Sequence, residues 1–478
     1  MGNNSLSNRI YQVANRCTLL AMRLPQCAFR SVLSALRLRP TGHISIPSNL
    51  ISNGYPLKSN LQPLNSSIYP LASILLLLLT ITTQAQSLQD YQKLALENNP
   101  SLKAKYKDFE AALTKVDQVK SLPDPTFSIG YFISPVETRV GPQRARLSLS
   151  QMFPWFGTFK AQGNVAALNA EASFEQFREA QNKIEFEVAQ AYFPLAELNE
   201  LIALQKQNLE ILATWKRLAT SQYENGKTTL ADALRVDLMV NELKTEIPLL
   251  EDKHRPLQIA FNRLLNRDDS IAIDAQLDSS VSTFSSDSIK WEEHPRILEL
   301  NKRIASKKYQ SEAIVKQGAP KLGIGLDYVI VGERKDMAID GNGRDAFMPM
   351  ATMSIPIFRN KYKAAITETN LQIDSYEHSI TATKNELITQ LENAKYEAKR
   401  QEDLKALYEI QITQITQIQR LLLSEFSNSG KDLDELLLTQ MKLLDYQMKE
   451  VKAKTATNII AHKIDYLLAR DHNETLLR

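Results

Sequence analysis

A chain of 478 residues, 43% hydrophobic and 23% charged, with 15 Gly and 19 Pro, has a folded composition, which excludes disordered and collagen-like classes. The formal charge of +3 mixes two unlike parts: residues 1–85 hold seven basic side chains (Arg9, Arg16, Arg23, Arg30, Arg37, Arg39, Lys58) and no acidic one. Setting those aside leaves 50 basic against 54 acidic side chains in 86–478, a net of −4, with no basic face for nucleic acid.

Residues 70–85 contain a leucine-rich apolar run too short to span a bilayer, with Thr83 and Ala85 in a small-x-small pattern. This reads as a secretory signal, so 1–85 is taken as a leader segment absent from the mature chain. Both cysteines, Cys17 and Cys27, fall in it. The mature chain is therefore expected to carry no disulfide, thiol nucleophile or cysteine-bound metal.

Beyond the leader the pattern predicts a helix over about 88–120, strands over 126–134 and 144–153, and long helices over 158–221 and 228–266. After an Asp- and Ser-rich link at 267–289, the same order is predicted at about 290–317, 322–331, 347–355, 359–425 and 432–470. The helical assignments rest on heptad spacing. Ile184, Val188, Ala191, Leu195, Leu198, Ile202, Gln205, Leu209 and Leu212 alternate four and three apart, a coiled-coil seam with one polar member. Leu437, Met441, Leu444, Met448 and Val451 repeat the pattern. Pro194 falls inside the first seam and predicts a kink but no break. The strands alternate: Phe127, Ile129, Tyr131 and Ile133 oppose Thr126, Ser128, Gly130 and Phe132, and Leu322, Ile324, Leu326, Tyr328 and Ile330 oppose Gly323, Gly325, Asp327 and Val329. One apolar and one small or polar face suits a membrane β-barrel with a wet interior.

The two series align. Pro100, Pro125 and Gly130 match Pro295, Pro320 and Gly325 at one offset; Phe153-Pro154 matches Ile355-Pro356; Asn225-Gly226-Lys227 matches Ser429-Gly430-Lys431. A tandem duplication follows, with repeats at 86–289 and 290–478.

Asn99-Pro100, Pro154-Trp155-Phe156-Gly157, the run from Tyr223 to Leu230, Pro356-Ile357-Phe358 and Gly430-Lys431 occur in the order and spacing of the outer-membrane efflux factor family. The chain resembles that TolC-like family over roughly 87–470. The resemblance implies a mostly α fold with a small β part: duplicated coiled-coil hairpins plus four membrane strands per protomer, closed in a homotrimer as an α/β-barrel duct. It also implies an outer membrane location in a Gram-negative cell, helices in the periplasm, contact with outer-membrane lipid, a periplasmic adaptor, and a proton- or ATP-driven inner-membrane pump. Nucleic acid is not among its partners. The rival reading is a soluble periplasmic coiled-coil scaffold or adaptor.

The candidate residues follow from this layout. Asn225, Gly226, Lys227, Ser429, Gly430 and Lys431 are expected at the hairpin tips, where an adaptor would dock. Asp432, Asp434 and Glu435 complement a helix N-terminus, and three copies would form an acidic ring that could close the duct around a cation; Glu435 is favoured. Phe153, Pro154, Trp155, Phe156, Pro356 and Phe358 are expected at the strand-to-helix boundary, as a membrane-interface belt or a plug over the bend. Met152, Met348, Met350 and Met353 could pass a soft metal, but methionine more often fills gaps. His254, His294, His378, His462 and His472 have no ligand spacing. The expectation is no cofactor, no metal and no catalytic site.

Overall fold

A computed structural model describes residues 87–277, 290–429 and 431–470. The leader reading lies outside them, as does Gly430. Helices α1 (Leu88–Asn98) and α2 (Pro100–Lys120) precede the hairpin β1 (Thr126–Thr138) and β2 (Gly141–Phe153). Then come α3 (Thr158–Glu224), α4 (Leu230–Asp252) and α5 (His254–Leu264). The second half holds a 3-10 turn (Trp291–Glu293), α6 (Pro295–Gln317), β3 (Lys321–Val331), β4 (Ala346–Ser354), α7 (Asn360–Ser429) and α8 (Leu433–Leu467).

Two helices expected to be continuous are interrupted, and proline explains both. Pro100 cannot supply an N–H and pushes the residue before it out of the helical region. Asn99 accordingly sits at ψ 123°, and its Oδ1 accepts from the N–H groups of Ser101 (2.9 Å) and Leu102 (3.2 Å), starting α2 afresh. The second expected helix, 228–266, stops at Asp252, because the Pro256 ring conflicts with the carbonyl four residues earlier. Pro256 itself fits in the first turn of α5. By contrast α3 runs through Pro194 without interruption.

At 67 and 70 residues, α3 and α7 reach about 100 Å at 1.5 Å per residue. Such lengths are held by packing rather than by propensity. Ile184, Val188, Leu195, Leu198, Gln205 and Leu212 of the α3 seam are all buried. The polar member joins a row of buried amides: the Gln205 amide points at the Met448 sulfur (3.7 Å), and Gln440 Nε2 donates to Asn208 Oδ1 at 2.6 Å. Of the seam expected in α8, Leu437, Leu444 and Val451 are buried, but Met441 is 55% exposed and departs from the expectation.

Near the sheet the helices pack in the order α2, α3, α6, α7; toward the far end the order is α4, α3, α8, α7. Both layers are therefore walls with two free edges, α7 on one side and α2 or α4 on the other. The sheet has the same property. Its order is β1-β2-β3-β4, all antiparallel, leaving β1 and β4 as unpaired edges. Among the described residues, no helix is long and apolar enough to cross a membrane.

Candidate functional site: hairpin tips, sheet faces and the rim between them

The register fixes which residues share a face of the sheet. Phe127, Leu149 and Leu326 line up across three strands, as do Ile129, Leu147 and Tyr328. Leu322 and Ile324 continue the face into Met353 and Ala351 of β4. This face turns outward from the protomer: Ile129 is 69%, Tyr131 77% and Ile133 92% exposed. An apolar sheet face this bare is unfavourable in water and suited to hydrocarbon. Strands of 9–13 residues are long enough for a tilted crossing.

The opposite face aligns Ser128, Ser148, Asp327 and Met348, and beside them Gly130, Arg146, Val329 and Ala346. Arg146 forms an ion pair with the fully covered Asp327. Met152, Met348 and Met350 lie on this inner face, whereas Met353 lies on the outer one. Arg146 Nη2 also lies 3.7 Å from the Met350 sulfur, a cation where a thioether metal site would need none. No group of three or more His, Cys, Asp or Glu side chains converges as a metal site among the described residues.

At the first tip, Asn225, Gly226 and Lys227 close α3. Gly226 takes φ 70°, its N–H donates to Tyr223 O (2.9 Å), and the Lys227 N–H donates to Gln222 O (2.9 Å). This paired closure satisfies the last carbonyls and needs a residue tolerant of the left-handed region. The next helix begins with a reciprocal cap: Thr229 Oγ1 accepts from Asp232 N (3.2 Å) and Asp232 Oδ2 accepts from Thr229 N (3.0 Å). Partial burial would raise the Asp232 carboxyl, but hydrogen bonds from Thr229 and Thr228 outweigh it and hold the group below its ordinary value of 3.8.

At the second tip, Ser429 Oγ donates back to Glu425 O (2.9 Å) and accepts from the Lys431 N–H (3.2 Å). Asp432 precedes α8 at φ 65°, with no side-chain cap bond. Asp434 and Glu435 lie in the first turn of α8 and both are exposed. Asp434 is engaged by Arg235 of α4, which also bonds Asp232 at 3.2 Å. Glu435 and Asp432 form no ion pair among the described residues. Gln222 Nε2 donates to Ser427 O at 3.0 Å and ties the two tips together. Sequence reasoning missed Arg235 and Gln222, since cross-tip partners leave no local signal; the Thr229-x-x-Asp232 spacing was readable. Beneath both tips lies one apolar cluster, with Trp215, Val236, Phe426, Leu433 and Leu436 buried together.

The strand-to-helix boundary brings the expected apolar residues to one level. Phe153, Pro154 and Pro356 are half-buried; Trp155, Phe156 and Phe358 are exposed, the last at 85%. Trp155 and Phe156 meet edge to face at 5.9 Å. Gly157 takes φ 80° to turn the chain into α3, and Thr158 Oγ1 donates to Trp155 O at 2.6 Å.

Sheet faces inverted for lipid, open sheet edges and long helical walls define one subunit of an outer-membrane duct. Residues 92–266, from α1 to α5, match the family described as Outer membrane efflux protein. The solved outer membrane protein VceC of Vibrio cholerae is similar with a TM-score of 0.64 at 16% identity, over 80% of this chain and 96% of that one. The CmeC outer membrane channel of Campylobacter jejuni is similar at 0.63 and 14%, over 82% and 88%. The open state of the Neisseria gonorrhoeae MtrE outer membrane channel gives 0.59 and 15%, over 80% and 89%. No curated protein matches the chain in sequence. Residues 92–266 thus match the outer membrane efflux protein family, and the described chain carries the fold of the solved outer-membrane channels. The protein is an outer-membrane efflux channel with its helices in the periplasm, and not an enzyme. The family implies a trimer that works with an adaptor and an inner-membrane pump.

Proposed function

We propose that three copies of this chain close edge to edge into one duct, and that substrate crosses it passively, driven by the pump. The free edges carry this reading. An unpaired strand edge is not tolerated in lipid, so β4 of one copy must pair with β1 of the next, giving twelve strands. The helical edges are shaped for the same step. Leu230, Leu234 and Leu238 form an exposed apolar stripe on α4, and Leu407, Ile410, Ile418 and Leu421 form another on α7. Each set recurs on one helical face, four apart on α4 and three, eight and three apart on α7, and leaves an apolar face awaiting a partner. Residues 86–289 and 290–478 act as tandem repeats, and 1–85 as the export leader.

In this reading the tip residues Asn225, Gly226, Lys227, Ser429, Gly430 and Lys431 meet the adaptor. Asp432, Asp434 and Glu435 supply the acidic ring, with Glu435 facing the axis, since Arg235 already draws Asp434 aside. Acidic rings favour cations and bind divalent ions that block conduction.

The test is an outer-membrane preparation run unheated and heated on a gel, with single-channel conductance of the purified protein. A heat-labile trimer that conducts and is blocked by divalent cations is expected. A soluble monomer without conductance would leave only the scaffold reading.

A further inference from the structure

We infer that the periplasmic rim of the barrel is a binding surface for anionic phospholipid headgroups. The inference rests on the outer-membrane placement and adds a ligand to it. Five cations lie five to nine residues from the strand ends: Lys120 at the end of α2, Lys160 in the first turn of α3, and Arg359, Lys361 and Lys363 where β4 passes into α7. All five are exposed, and none is paired with a carboxylate among the described residues. Lys361 instead lies over the Tyr362 ring, 4.8 Å from its centre. Elsewhere on the helices, cations are commonly matched, as in Lys206–Glu251, Lys302–Glu171 and Lys449–Asp445.

The local charge runs against that of the chain. Residues 86–478 are net acidic, yet 153–164 and 354–366 together carry four basic side chains and no acidic one, while beside β1 Lys120 is accompanied by Asp124. Three copies would multiply that charge around one rim.

The second observation is what the cations sit beside. Trp155, Phe156, Ile355, Ile357 and Phe358 are all exposed, from 39% to 85%, at the same boundary. Aromatic and aliphatic side chains at this level rest among acyl carbons and glycerol groups. Residues one or two helical turns further out, at 1.5 Å per residue, reach the phosphates about 5–10 Å away. Lysine and arginine there attract anionic headgroups, each tightening binding roughly fivefold. An apolar belt backed by unpaired cations thus fits the charged inner leaflet and would discriminate against zwitterionic lipid.

Trp155 provides the probe, since Trp215 lies in the tip cluster and Trp291 precedes α6, both away from the rim. The trimer is reconstituted in phosphatidylcholine vesicles containing either brominated phosphatidylglycerol or brominated phosphatidylcholine, and Trp quenching is compared. The native protein is expected to be quenched several-fold more by the anionic lipid, with the preference lost in high salt. Lys160→Gln, Arg359→Gln, Lys361→Gln and Lys363→Gln combined should reduce the preference to parity while the heat-labile trimer persists. Four control changes to Gln at Lys103, Lys105, Lys244 and Lys253 should leave it intact. Equal quenching by both lipids in the native protein would overturn the inference, as would a combined variant that alters ion selectivity but not quenching. Quenching by neither lipid would instead overturn the membrane placement on which it rests.

Discussion

The two halves of the chain share a helix, a strand pair and a long helical hairpin in that order but close their turns with different chemistry. In the first half, Asn99 caps α2 through two N–H groups and its amide donates to Leu264 O at 3.0 Å, leaving its side chain fully engaged. At the matching place His294 accepts a single bond, from the Arg296 N–H to Nδ1 at 3.2 Å. Its Nε2 is buried with no hydrogen-bond partner among the described residues. The tips differ likewise: a left-handed glycine and a reciprocal cap in the first, a left-handed aspartate without a side-chain cap in the second. At these matched caps the first half satisfies its cap groups, whereas the second leaves a ring nitrogen unmet and a left-handed aspartate uncapped. Backbone strain of that left-handed kind persists only where surrounding packing enforces it.

The largest expected effect tests the buried histidine. Burial, helped by the charges of Arg296 and Arg178, lowers its pKa from 6.5 to about 4. A base whose folded pKa is depressed binds fewer protons folded than unfolded between those values. Its contribution is therefore fully present above pH 6.5 and lost as the pH falls toward 4, a difference of about 3 kcal/mol. Burial pushes the nearby Glu175 and Glu179 carboxyls upward, which acts in the opposite sense. His294→Asn keeps the cap, as Asn99 does, and removes only the titration. Thermal unfolding of the trimer followed by circular dichroism should therefore fall less between pH 7 and pH 5 in the variant. Parallel curves for the two proteins would contradict the assignment.

The next contrast is between the tips, where equivalent repairs should have opposite signs. Thr229→Ala removes a cap and should cost about 1 kcal/mol locally. Asp432→Gly removes a left-handed side chain that makes no cap bond, and should stabilise by up to about 1 kcal/mol. Hydrogen exchange of tip amides reads both changes: faster at residues 226–233 in the first variant, slower at 431–436 in the second. Slower exchange in neither would mean that the second tip is not strained. The same reciprocal cap predicts acid sensitivity of the first tip. Because the Asp232 carboxyl titrates below 3.8, its contribution is complete above that pH and disappears as the pH falls through the lower folded value.

How much of this was readable beforehand differs by scale. Heptad spacing and strict alternation report burial directly, so the helix ends at Thr158, Gln317 and Asn360 fell within a residue or so of expectation. The breaks at Asn99 and Lys253 were missed because a single proline overrides a periodic pattern that continues on both sides of it. Met441 keeps the heptad position yet stays exposed, since periodicity specifies a face and not what covers it. Gly226 and the acidic first turn of α8 were legible from residue type alone. The Arg235–Asp434 pair was not, because it joins positions 199 residues apart that only the folded hairpins bring together.

That pair supports the smallest and most discriminating prediction. Its side chains are 53% and 65% exposed, so solvent and salt screen it. A double-mutant cycle of Arg235→Gln and Asp434→Asn should return a coupling below about 1 kcal/mol. Its functional consequence separates the carboxylates of the second tip. Asp434 is drawn toward Arg235, so Asp434→Asn should leave divalent block of conductance nearly intact. Glu435 has no such tether, so Glu435→Gln should weaken the block severalfold without changing trimer stability. If Asp434→Asn weakens the block while Glu435→Gln does not, the axial carboxylate is Asp434, and Arg235 is positioned to release it rather than to hold it aside.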